Sequence, residues 1–192
     1  MNETPLSLLE RLRIRPDERA WGRLVELYTP WVRNWLSQFG VPEADADDIV
    51  QEVLGTLVRE MPEFQHSGRR GAFRMFVRNI ASNRLHSYWR GRRDARDHAH
   101  DMEQLADPHS AIWSHWEREH DRFILQRLME LIEPEFSPST WNSFRRLVLD
   151  GQKPAQVAND LGLSVNAVLI AKSRVLRRLR EESNDLIEEV TL

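Results

Sequence analysis

Residues 153–168 read KPAQVANDLGLSVNAV, and this stretch decides the kind of fold. Pro154 suits the first turn of a helix, where its missing N–H would have no intrahelical partner. Val157, Ala158 and Leu161 share an inner face, and the small Ala158 lets a neighbouring helix come close. Gly162 supplies the left-handed residue that ends a helix. Leu163 plugs the corner and Ser164 caps a second helix, whose Val165, Val168, Val175 and Leu179 are expected to turn inward. Small residue, glycine turn, apolar plug and cap at these spacings predict a helix-turn-helix, with the start of its second helix offered to a DNA major groove. Asn166, Ala167, Ile170, Ala171 and Arg174 are then best placed for base edges, with the capping Ser164 beside them. Lys172, Arg177 and Arg178 would meet phosphates.

Helical periodicity extends outward from this motif over nearly the whole chain. Pro16 and Asp17 can open a helix carrying Trp21, Leu24, Val25, Leu27 and Tyr28. Pro30 is expected to break or kink it before Trp31, Val32, Trp35 and Leu36 carry on to a stop at Gly40. A second helix spans about 44–61, residues 62–70 form a loop, and a third spans about 72–92 with Phe73, Phe76, Val77, Ile80, Ala81, Leu85 and Tyr88 in register. Residues 94–115 are acidic, poor in apolar groups and contain Pro108, so they read as a linker. Helical pattern resumes from Trp116 to Ile132, breaks at Pro134 and Pro138, and restarts near Ser139 to run to Gly151. Strand signals are nearly absent. The fold class is therefore all-α: two small helical domains (17–93 and 121–184) joined by a polar linker (94–120), with an extension at 1–16 and a tail at 185–192.

The net charge of −3 hides a sharp segregation. Arg69, Arg70, Arg74, Arg78, Arg84, Arg90, Arg92 and Arg93 stand in one stretch without an acid. Lys172, Arg174, Arg177, Arg178 and Arg180 form a second such stretch, while acids gather at 43–52, 94–135 and 181–189. Arginine donates bidentately to phosphate and stacks on bases, so two arginine islands in an acidic chain favour nucleic acid as partner. There is no cysteine, hence no disulfide and no cysteine-based metal site. No stretch approaches the roughly eighteen apolar residues of a membrane span, and the first residues lack a leader's apolar run. A cytoplasmic protein with no membrane partner is expected.

Two further segments carry a family resemblance. Asp48-Ile49-Val50-Gln51-Glu52-Val53, followed by a loop and then FRMFVRNIASNRL at 73–85, is similar to domain two of extracytoplasmic-function (ECF) sigma factors, a subfamily of the sigma-70 family. The stretch from Leu149 to Glu182 resembles the last domain of the same proteins, and the two matches stand in the right order. The resemblance implies a subunit that directs core RNA polymerase to promoters and helps to open the DNA, with an anti-sigma factor as a further partner. Asp48, Gln51 and Glu52 share one polar helix face at i, i+3 and i+4, and the resemblance makes it the face that grips core polymerase. It makes Phe64, Gln65, His66 and Ser67 a loop that stacks on and hydrogen-bonds a flipped base. Arg69, Arg70, Arg74, Arg78, Asn79 and Asn83 would line the adjoining backbone and duplex.

One departure stands out. Much of the family carries a polar stretch where this chain has Leu169, Ile170 and Ala171, which suggests methyl contacts or a covering partner surface. A stand-alone helix-turn-helix regulator with an N-terminal sensor or dimerisation domain is the alternative. Neither an enzyme nor a cofactor is implied. His98, His100, His109, His115 and His120 lack the converging spacing of a metal site, and no nucleophile–base pair or glycine-rich phosphate loop is present.

Overall fold

Trp31, Trp35, Trp113 and Trp116 meet at the centre of the molecule, with Trp116 about 5.1 Å from both Trp31 and Trp35 between ring centroids. These rings join the second and sixth helices and so bring the two halves of the chain together. The computed structural model describes residues 7–14, 17–64, 71–91, 98–107, 109–184 and 186–187. Among them the chain forms α1 (Leu8–Ile14), α2 (Glu18–Ser37), α3 (Glu43–Glu60), α4 (Ala72–Arg90), α5 (Ala99–Ala106), α6 (Ala111–Ile132), α7 (Pro138–Phe144), α8 (Pro154–Leu161) and α9 (Val165–Ser183), and no strand. Short 3-10 turns follow α3 and α6, and a wide π turn at Arg145–Leu149 extends α7.

Local chemistry accounts for several helix ends. Asp17 caps α2 by accepting the Ala20 N–H at 2.7 Å, and Ser137 and Ser164 cap α7 and α9 in the same way. Gly162, at φ 64°, takes the left-handed conformation that closes α8, and its turn leads directly to the Ser164 cap. Contrary to expectation, α2 runs through Pro30 without a break. Leu27, Tyr28, Trp31, Val32, Trp35 and Leu36 bury the helix on both sides of the proline, and that packing outweighs one lost backbone hydrogen bond. Val165 was expected to face inward and instead is exposed.

The segment expected to be a linker is the larger difference. Residues 94–120 contain α5 and the first half of α6, and Leu105, Trp113 and Trp116 within it are buried. The Trp113 indole N–H donates to the Leu105 carbonyl at 3.2 Å, which ties α5 to α6. Three buried apolar side chains suffice to dock an otherwise acidic segment, because two of them are tryptophans that each remove a large apolar area from water. One core therefore spans α1 to α7 and the C-terminal half of α9. Val157, Ala158 and Val168 form a separate small cluster where α8 meets α9, with Leu147, Leu161 and Leu163 around it. No described helix is long and apolar enough to cross a membrane.

Candidate nucleic-acid interface

On α3 the amphipathic pattern separates two chemistries. Ile49, Val50, Val53 and Leu57 are buried against the core, while Asp48, Gln51 and Glu52 are exposed together on the opposite face. Arg84 of α4 reaches that edge, 3.4 Å from Glu52 and 2.9 Å from the Thr56 hydroxyl. Gly55, one turn on, is half-buried, and a Cβ built on it would meet nothing within 4 Å. Among the described residues nothing requires a glycine there.

Phe64, at the start of the expected base-binding loop, stacks on Phe76 (4.9 Å between centroids) and meets Phe73 edge-on. Gln65, His66, Ser67, Arg69 and Arg70 lie outside the described residues. The remaining members of the first arginine island divide along α4. Asn79 and Asn83 are exposed and lie between two clefts of about 550 and 350 Å³. Arg78, His86, Arg90 and Trp113 help to line the larger. Arg74 and Arg78, in contrast, are only 7% and 8% exposed. Arg78 lies over the Trp113 ring at 4.6 Å, with Glu117 at 3.8 Å. Arg74 donates to Asp121 at 3.0 Å.

Asp121 also receives His120 Nδ1 at 2.9 Å, and His120 Nε2 stands 3.0 Å from the Tyr28 hydroxyl. Burial holds the His120 pKa below its ordinary value despite the nearby carboxylate, so the ring is neutral at neutral pH. An ionised carboxylate only accepts, so Nδ1 carries the hydrogen and Nε2 accepts from the tyrosine. Burial raises the Tyr28 pKa strongly, which keeps that hydroxyl a donor. A buried polar chain thus runs from α2 through α6 to Arg74 of α4.

The second island divides in the same manner. Asn166, Leu169, Ile170, Ser173, Arg174 and Arg177 lie at i, i+3, i+4, i+7, i+8 and i+11, and all six are exposed along one face of α9. Arg177 is 75% exposed, with Glu181 as its ion-pair neighbour at 3.8 Å. Ala171 does not belong to this face: it is buried with Val168, Val175 and Leu179. Ala167 and Lys172 are half-buried at its edges, and the Ser164 hydroxyl is engaged in capping. Leu169 and Ser173 take the places that Ala171 leaves, and the same helical spacing that selected Ile170 and Arg174 would have found them.

Arg178 points the other way. It donates to Glu135 at 2.6 and 3.1 Å and pairs with Glu182, which is 2% exposed and also receives Arg11 at 2.9 Å and Arg23 at 3.3 Å. Arg23 reaches Glu135 as well, at 3.0 Å. Burial alone would raise the Glu135 pKa, but hydrogen bonds from Arg178 and Arg23 more than offset this and hold the carboxyl below its ordinary range. Three guanidiniums and two carboxylates from α1, α2, α9 and the turn after α6 thereby clamp the two ends of the chain together.

The family model for sigma-70 region 2 matches residues 24–95, which run from α2 past the acidic face of α3 and the whole of α4. Proteins described as ECF RNA polymerase sigma factor SigD, from Mycobacterium tuberculosis and Mycobacterium bovis, are 28% identical over 171 residues, covering 86% of this chain and 78% of theirs. The chain is thus similar to the ECF subfamily of the sigma-70 family, in its region 2 and along most of its length. The exposed Asp48, Gln51 and Glu52 fall inside the matched region, as do Phe64, Arg74, Arg78, Asn79 and Asn83. Its α8 and α9 lie beyond the region 2 match, within a chain that the SigD alignment covers for the most part.

Proposed function

We propose that this chain is an ECF-type sigma factor that works in the cytoplasm as a detachable specificity subunit of RNA polymerase, with core polymerase and promoter DNA as its partners. Asp48, Gln51 and Glu52 dock core polymerase. Residues 64–70 with Asn79 and Asn83 hold one promoter element and favour its unstacked strand. The α8–α9 pair, read as a helix-turn-helix, binds a second element as duplex. Residues 17–93 and 121–184 are the two reading units, and α5 with the start of α6 spans the ground between them. No bond is made or broken by such a subunit: opening follows from binding the melted strand better than the duplex.

The observation that carries this reading is the α3 face. Two carboxylates and an amide stand exposed together on one face, where Arg84 meets only its Glu52 edge at 3.4 Å. A basic surface on a large partner is the complement that such a face selects. The test mixes the purified chain with core polymerase and asks for promoter-specific initiation on an unmelted template. Asp48→Arg combined with Glu52→Arg should weaken core binding about hundred-fold or more through like-charge contact, with an unchanged circular-dichroism spectrum. Unchanged binding refutes the interface.

A further inference from the structure

The exposed face of α9 pairs two features that seldom occur together. Leu169 and Ile170 are each 43% exposed, side by side in the second turn, and Val165 one turn earlier is equally exposed. Around them stand Asn166, Ser173, Arg174 and Arg177, and no carboxylate lines the shallow hollow that these residues form. The inward face of the same helix is already supplied by Val168, Ala171, Val175 and Leu179. The two large apolar side chains are therefore surplus to folding.

From this pairing we infer that Leu169 and Ile170 are specificity residues, which read thymine through its C5-methyl group in the major groove of the duplex bound by α9. The inference rests on the helix-turn-helix reading above and names what that helix recognises. The occupant must be anionic, because the cap end of α9 and the Arg174–Arg177 end both favour negative charge. It must also offer compact apolar groups at the depth of the second turn. Duplex DNA meets both needs, since thymine is the base that presents a methyl group in the major groove. A recognition helix reaches base edges with its first turns and phosphates with its later ones, which is the order found here: Asn166, then Leu169 and Ile170, then Arg174 and Arg177. Asn166 is the bidentate match for adenine. The element read by α9 is accordingly A·T-containing at the two or three pairs that face residues 166–170.

Replacing thymine by deoxyuridine removes the methyl and nothing else, so the decisive change is made in the DNA and protein folding is not at risk. Holoenzyme reconstituted from the full chain selects tight duplexes from a random library, and each thymine is then replaced singly. At one or two positions affinity should fall about three- to five-fold, the size expected for one buried methyl group. Those positions should become insensitive to the replacement in the Leu169→Ala and Ile170→Ala variants. If no position responds to the methyl while Arg174→Ala still weakens duplex binding, the methyl inference falls and the helix-turn-helix reading stands. If Asn166→Ala, Arg174→Ala and the two alanine variants all leave duplex selection unchanged, both fall, and the face belongs to a protein partner.

Discussion

Helices α4 and α9 carry the same residue type at similar spacing and leave it in opposite electrostatic states. On α4, Arg74 and Arg78 are withdrawn from solvent, one on Asp121 and one between Glu117 and the Trp113 ring. On α9, Arg174 and Arg177 remain on an exposed face, and only Arg178, just past the turn of the helix, is tied down by Glu135 and Glu182. Arginine density alone therefore does not say which cations can meet phosphate. The acids that decide the matter, Glu117 and Asp121 on α6 with Glu135 and Glu182, all lie in the second half of the chain, and each of the four holds a cation from the first half.

The strongest way to break this contrast is at Glu182, which is 2% exposed beneath Arg11, Arg23 and Arg178. Glu182→Ala should cost about 3 kcal/mol of stability, because it leaves partly buried guanidiniums facing one another without their anion. A urea midpoint unchanged from the parent chain would show that the clamp holds nothing. A paired substitution sharpens the comparison at the next scale. Arg74→Ala should destabilise by roughly 2 kcal/mol, since it strips a hydrogen-bond partner from Asp121 at the end of a buried chain. Arg174→Ala should stay within about 0.5 kcal/mol of the parent, as exposed positions do, and should instead weaken duplex binding by the holoenzyme. Equal stability losses would erase the distinction drawn between the two helices.

Mild acid probes the α4 side. His120 has a folded pKa below its ordinary 6.5, so the unfolded chain binds more protons wherever the pH lies between the two values. Its contribution is complete above that ordinary value and is lost as the pH falls toward and through the folded one. The urea midpoint should drop between pH 7.5 and pH 5, and His120→Gln should flatten that drop. An identical profile in the variant would remove His120 from the account. The smallest effect belongs to Arg177, 75% exposed. Arg177→Ala should leave the midpoint in place and reduce the log–log salt slope of duplex binding by about 0.9, the share of one phosphate contact.

Much of the fold could be read directly from the residues. The Gly162 turn, the Ser164 cap, the inward Val168, Val175 and Leu179, and the α3 face of Asp48, Gln51 and Glu52 all follow from rules that act within a few residues. The α9 face was legible in part: Asn166, Ile170 and Arg174 lie on it, but Ala171 is buried and Leu169 and Ser173 complete the face. Residues 94–120 misled because acids dominated their composition, while Trp113 and Trp116 carried the packing.

By itself, then, the sequence determined the helices, their caps, the apolar stripe of each and the presence of two cation-rich segments. Those features depend on neighbours no more than about a turn away, where covalent geometry fixes the distance. Only the tertiary structure decided which arginines remain free. Arg74 finds Asp121 at 47 residues' remove, and Arg11 finds Glu182 at 171. Pairings of that kind have no period along the chain, because they arise only when tryptophans from α2 and α6 have brought the helices together.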